Sequence, residues 1–164
     1  MLKPAEDTSL SALRFAELAH EAGLPAGALN IVTGLGEEVG AALAGHPGID
    51  FISFTGSNEV GTLVQQAAAK NAVKCVLELG GKSPHLVFDD ANLELAATTV
   101  VRGIVQNTGQ TCTAGSRVLV QQSIHDRFLA LVADKFKQVR VGTPEMNLDC
   151  GPVVNLNQIG RAHV

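Results

Sequence analysis

The residues with the most chemical capacity in this chain are a thiol and a carboxylate, each set among glycines. Cys112 lies in the run Gln106-Asn107-Thr108-Gly109-Gln110-Thr111-Cys112-Thr113-Ala114-Gly115-Ser116-Arg117. Glu78 lies upstream in Leu77-Glu78-Leu79-Gly80-Gly81-Lys82-Ser83-Pro84. A thiolate can attack a carbonyl carbon, and a carboxylate can then activate water against the resulting thioester. Given a hydride acceptor, those two steps oxidise an aldehyde to an acid. The small residues around Cys112 leave room for a substrate. Each residue also has a plainer reading: a free thiol is often a buried structural group, and a carboxylate at a strand end is usually solvated.

A third run, Phe54-Thr55-Gly56-Ser57-Asn58-Glu59-Val60-Gly61, falls where a strand should give way to a helix. Free backbone N–H groups and the helix dipole favour an anion there. Gly56 would let a pyrophosphate approach, Ser57 could cap the helix and donate a hydrogen bond, and Gly61 would allow tight packing of helix on strand. An ordinary serine cap after a turn glycine accounts for the same residues. The GxGxxG dinucleotide fingerprint is absent. Gly34-Leu35-Gly36 comes nearest, but the next glycine, Gly40, arrives one place late.

Other reactive residues group less well. Cys75 alternates with Val73 and Leu77 and is expected in a core, and Cys150 sits in a loop with no role assigned. An odd set of cysteines without CxxC spacing makes neither a disulfide framework nor a zinc site. His20, His46, His85, His125 and His163 form no ligand pair, so no metal is expected. Asp89-Asp90, followed by Ala91-Asn92, reads as a turn and helix cap.

The elements that must position these groups alternate along the chain. Apolar spacing at Leu10, Leu13, Ala16, Leu18 and Ala19 predicts a helix over 9–22, ended by Gly23 and Pro25. Residues 28–33 predict a strand, 37–44 a helix, 50–54 a strand, a helix then running to Lys70, and 73–79 a strand. After Pro84 come a strand over 85–88, a helix over 93–106, a strand over 117–121 and a helix over 126–139. Strands alternating with helices through short connections argue for an α/β fold with a parallel sheet. Met1-Leu2 reads as the end of an apolar strand with no partner in this sequence. Gly80 and Gly81 suggest a hinge and a domain boundary near 81–83.

Composition narrows the function classes. Of 164 residues, 46% are hydrophobic and 17% charged, which suits a soluble globular protein. Net charge is −4, Lys and Arg are scattered, and Tyr and Trp are absent, so nucleic-acid binding is not expected. No apolar run is long enough to span a membrane. Acidic residues and a proline near Met1 do not suit a signal peptide, so a cytoplasmic location is expected.

Along nearly its whole length the chain resembles the aldehyde dehydrogenase superfamily. The match rests on Leu2-Lys3-Pro4-Ala5-Glu6, Gly23-Leu24-Pro25, the Phe54 to Gly61 run, and the glutamate and cysteine runs quoted first. The resemblance implies a Rossmann-variant nucleotide domain without the usual glycine fingerprint, here incomplete over residues 1–81. It implies the first part of an α/β catalytic domain over 82–158. By resemblance Cys112 is the nucleophile that forms a thiohemiacetal and then a thioester, and Glu78 activates the hydrolytic water. Gly56, Ser57, Asn58, Glu59, Val60 and Gly61 would hold the pyrophosphate, Leu79 would also meet the cofactor, and Lys3 and Glu6 would meet the adenosine ribose. A carboxylate at Glu6 can accept from ribose hydroxyls and would repel a 2′-phosphate, which favours NAD over NADP. Family habit also implies a homo-oligomer.

The resemblance covers about one third of a family member. The upstream segment that supplies an oxyanion-hole asparagine is not in this sequence, nor is the downstream glutamate that holds the nicotinamide ribose. Losing one oxyanion donor typically costs about 10²–10³ in rate. Residues 159–164, Ile-Gly-Arg-Ala-His-Val, read as the translation of a common sequencing-adapter tail, so the natural sequence is expected to end near Gln158. Three other readings stand beside the leading one. They are a CoA-acylating aldehyde dehydrogenase, a non-catalytic nucleotide-binding module, and a Cys/His hydrolase that would need no nicotinamide.

Overall fold

The computed structural model describes residues 1–159. They form an α/β chain that divides into two compact units, one over Met1–Leu79 and the other from Gly80 onward. In the first unit, α1 (Ser9–Glu21) ends in a left-handed Gly23. A wide helical turn at Gly36–Gly40 then leads into the short α2 (Ala41–Ala44). β1 (Phe51–Gly56), α3 (Asn58–Lys70) and β2 (Lys74–Leu79) complete a β-α-β unit whose strands pair in parallel. Alternate residues of both strands are half-buried, and α3 packs against them. Ala68 is 1% exposed.

The second unit repeats the pattern. β3 (Pro84–Val87) is followed by α4 (Leu93–Val105), β4 (Arg117–Val120) and α5 (His125–Lys137). β3 and β4 pair in parallel, Pro84 opposite Arg117 and Val87 opposite Val120. Val87, Leu93, Ala97, Val100, Ile124 and Phe128 form the core between strand and helices. Asn92 caps α4 by accepting the Leu95 N–H at 3.1 Å. Asp89 and Asp90 make a turn, and the Asp89 carboxylate accepts from Gln121 at 2.8 Å, a structural role.

One predicted strand does not form. Of residues 28–33 only Ile31 pairs, in an isolated parallel bridge with Leu2. Leu2 therefore does have a partner in this sequence, contrary to the expectation for it. Its N–H donates to Asn30 O at 2.8 Å and its carbonyl accepts from Val32 at 3.0 Å. The next rung of a parallel ladder would need an N–H at position 4, and Pro4 has none. The helix expected over 37–44 forms only with the wider turn at its start, where Gly40 N–H reaches back to Leu35 O at 3.5 Å. The adapter-like end lies outside the described residues apart from Ile159.

Candidate active site

In the first unit, the carboxyl edge of the β1–β2 pair gathers several of the predicted site residues. The register sets Thr55 opposite Glu78 and Gly56 opposite Leu79. In open α/β sheets ligands bind outside this edge. Alternation along β2 turns Cys75, Leu77 and Leu79 to the half-buried face, and Lys74, Val76 and Glu78 to the exposed one. Glu78 thus stands in the open beside the β1–α3 turn. Leu79 points the other way and fills the space a side chain at Gly61 would need: a Cβ there would come within 2.6 Å of Leu79 Cδ2. That close fit is the tight helix-on-strand packing expected of Gly61.

Ser57 is the N-cap of α3, and its Oγ accepts the Val60 N–H at 3.2 Å. A hydroxyl that accepts this bond still has its own proton to donate. The N–H groups of Asn58 and Glu59, in the first turn, lie outside the helical ladder. Gly56 has a second reason to be glycine, because the ring of Phe54 occupies the space where its Cβ would lie.

Lys3 and Glu6 are paired in the same unit. Lys3 Nζ lies 2.7 Å from Glu6 Oε1. The hydrogen bond from Lys3 holds the Glu6 carboxyl below the usual carboxylate range, with backbone N–H groups, Gly36 among them, adding to the effect. Glu6 is therefore an anion at neutral pH. A Cβ at Gly36 would sit 3.6 Å from Glu6 Oε1, an ordinary van der Waals contact.

Cys112 belongs to the second unit. Its side chain is exposed on a turn between the short helix Gln106–Gly109 and β4. The backbone before it is unusual: Asn107, Thr108 and Gly109 are consecutive left-handed residues, with φ of 51°, 57° and 73°. Asn107 and Gly109 tolerate this region, whereas a β-branched Thr does so only under constraint. After the turn, Arg117 anchors the start of β4 through its Nε, which donates to Lys82 O at 2.7 Å. The carbonyl of Cys112 lies 3.0 Å from where a Cβ at Gly81 would be. Gly81 is thus fixed by the backbone that carries the thiol, a constraint separate from any hinge.

Sequence reasoning missed these supports. It also missed His85, whose ring lies against Gly103 and Gly115 and whose Nε2 is buried without a hydrogen-bond partner. The glycines at 81, 103 and 115 were legible as glycines, but what they make room for depends on contacts across the fold. Among the described residues no histidine hydrogen-bonds Cys112, and no group of three or more His, Cys, Asp or Glu could hold a metal ion. No helix among them is long and apolar enough to cross a membrane.

Comparison with known proteins adds to this geometry. The aldehyde dehydrogenase family profile matches residues 1–163. A hydroxyisobutyraldehyde dehydrogenase of Mycolicibacterium austroafricanum is 51% identical over 88% of this chain and 29% of its own length. Retinal dehydrogenase 2 of Gallus gallus is 47% identical over 98% of this chain and 32% of its own. Betaine aldehyde dehydrogenase of Staphylococcus aureus, solved in complex with NAD+, superimposes with a TM-score of 0.92 at 41% identity, covering 97% of this chain and 32% of that one. The chain spans about a third of the length of these relatives.

Proposed function

The chain belongs to the aldehyde dehydrogenase family, and on that premise we propose that it is the central part of an NAD-dependent enzyme that oxidises an aldehyde to a carboxylic acid. The observation that carries the reading is the exposed thiol of Cys112 on a turn constrained from both sides. A nucleophile must be both accessible and fixed in direction. Residues 1–81 would form part of the nucleotide-binding domain, and residues 82–158 the part of the catalytic domain that carries the nucleophile.

The Cys112 thiolate attacks the aldehyde carbon, and the carbonyl oxygen becomes the alkoxide of a thiohemiacetal. As the C=O bond re-forms, the hydrogen on that carbon leaves with its electron pair, and a thioester to Cys112 remains. Bound NAD supplies the hydride acceptor. Glu78 then takes a proton from water as the water oxygen bonds to the thioester carbon. The C–S bond breaks, and the acid and the thiolate are released.

The fit of NAD to this chain rests on the start of α3 and on Glu6. The free first-turn N–H groups and the Ser57 hydroxyl suit a pyrophosphate. The ionised Glu6 suits ribose hydroxyls and disfavours a 2′-phosphate. Titration calorimetry should give tighter binding of NAD than of NADP, and Glu6→Ala should narrow that gap several-fold. A gap unchanged by Glu6→Ala would remove Glu6 from cofactor choice.

Glu78→Gln, placed in the full-length enzyme that carries this segment, tests the base. It should leave the first-turnover burst of hydride transfer intact and slow steady-state turnover by roughly 10²–10⁴, the range for general acid–base catalysis. Steady-state turnover at the unmodified rate would refute the assignment. A requirement for CoA in turnover would favour the CoA-acylating reading instead.

A further inference from the structure

We infer that Gln110 is a positioning residue for Cys112, its side-chain amide tying the left-handed turn before the cysteine to the chain at Val154. This rests on the reading of Cys112 as the nucleophile. The turn at residues 107–109 puts three left-handed residues in a row, one of them the β-branched Thr108. Such backbone persists only where its surroundings over-determine it. Gln110 provides most of that determination. Its Nε2 donates to Asn107 O at 3.0 Å, and its backbone N–H donates to the same carbonyl at 3.1 Å. Asn107 Nδ2 returns a bond to Gln110 O at 3.2 Å. The Gln110 Oε1 accepts from Val154 N–H at 2.8 Å, and nearby Thr108 Oγ1 donates to Gly151 O at 3.2 Å.

One amide therefore acts at once as donor within the turn and acceptor from a segment 44 residues further on. Only a side chain with both functions on one short plane can do this. Glutamate keeps the acceptor for Val154 but has no proton for Asn107 O, and methionine of similar length has neither. Gln110 is two residues before Cys112. A change in the backbone angles there would swing the thiol away from the direction from which it attacks.

The test uses Gln110→Met and Gln110→Glu in the full-length enzyme, with Cys112→Ser as control. Four quantities are read: the alkylation rate of Cys112 by iodoacetamide, the first-turnover hydride burst, NAD affinity and the thermal midpoint. Gln110→Met should lower both rates about tenfold, or about 1.4 kcal/mol of barrier. Gln110→Glu should lower them less, and NAD affinity should hold in both. Unmodified alkylation and burst rates in Gln110→Met overturn the proposal. So does a drop in thermal midpoint or a loss of folding in both variants with an unchanged alkylation rate per folded molecule, since Gln110 would then serve the fold alone. A burst that survives in Cys112→Ser would overturn the nucleophile assignment itself, a separate and distinguishable outcome.

Discussion

Gly81 and Gly115 carry no reactive group, yet each is held to glycine by what a Cβ there would meet. A methyl at Gly81 would press on the Cys112 carbonyl, which is backbone and cannot rotate away. A methyl at Gly115 would overlap the His85 ring. Gly115→Ala should therefore destabilise the protein by about 1–3 kcal/mol, as overpacking does, and His85→Ala in the same chain should restore much of that loss. Thermal denaturation of the two single variants and the double variant checks it, and strict additivity would count against the contact. A second residue-scale prediction concerns acid. Arg140 donates from Nε and Nη2 to the Asp149 carboxylate, and these bonds hold its pKa down from 3.8 to about 2. A depressed carboxylate stabilises the fold above its unfolded pKa and loses that contribution as pH falls through the folded value. Asp149→Asn should therefore flatten the loss of stability between about pH 4 and pH 2, measured as thermal midpoint against pH; the effect is small because both groups are exposed. Cys112 and Glu78 were legible as candidates because their neighbours are informative in sequence. Gln110, Gly81 and Arg117 were not, because each acts through a partner distant in the sequence: Val154 for Gln110, the Cys112 carbonyl for Gly81 and the Lys82 carbonyl for Arg117.

The elements were most legible where hydrophobic periodicity was long. α1 follows from apolar spacing, and α3, α4, α5 and the two parallel strand pairs follow from the alternation of strand-like and helix-like segments along the chain. Residues 28–33 have strand composition, but pairing depends on a partner's N–H groups, and Pro4 ends the ladder after one rung. The wide turn at Gly36–Gly40 was hidden because Glu37, Glu38 and Val39 suit the first turn of an ordinary helix equally well. The start of α3 offers a test at this scale. Ser57→Ala removes the acceptor for Val60 N–H and should cost about 1 kcal/mol of stability, with a fall in NAD affinity as well. Chemical denaturation and titration calorimetry separate the two effects. A stability loss with unchanged NAD affinity would mean that Ser57 is a cap and nothing more.

At the scale of the whole molecule, much apolar surface is left open. Leu10 is 84% exposed, Leu95 64% and Leu86 62%, among others on helices and strands of both units. A depression of about 340 Å³ beside β3 and α4 is lined in part by Leu86, Leu95 and Val100. Contiguous apolar surface on a soluble protein marks a place where something packs. The relatives are about three times as long as this chain, and in the longer enzyme proposed above further protein would cover these faces. The 164-residue chain alone should bind a hydrophobic dye such as ANS strongly and self-associate with rising concentration, whereas the full-length enzyme should not. Fluorescence titration beside analytical ultracentrifugation reads both, and a dye-silent monomer would count against the idea.

The proposed chemistry turns on a covalent bond to one sulfur. In the full-length enzyme, aldehyde and NAD should be mixed, quenched within the first turnover and digested for peptide mass spectrometry. The predicted result is an acyl adduct on Cys112 that forms in step with one equivalent of hydride transfer and vanishes in Cys112→Ser together with that transfer. An adduct on Cys75 or Cys150, or undiminished hydride transfer without the Cys112 thiol, would contradict it.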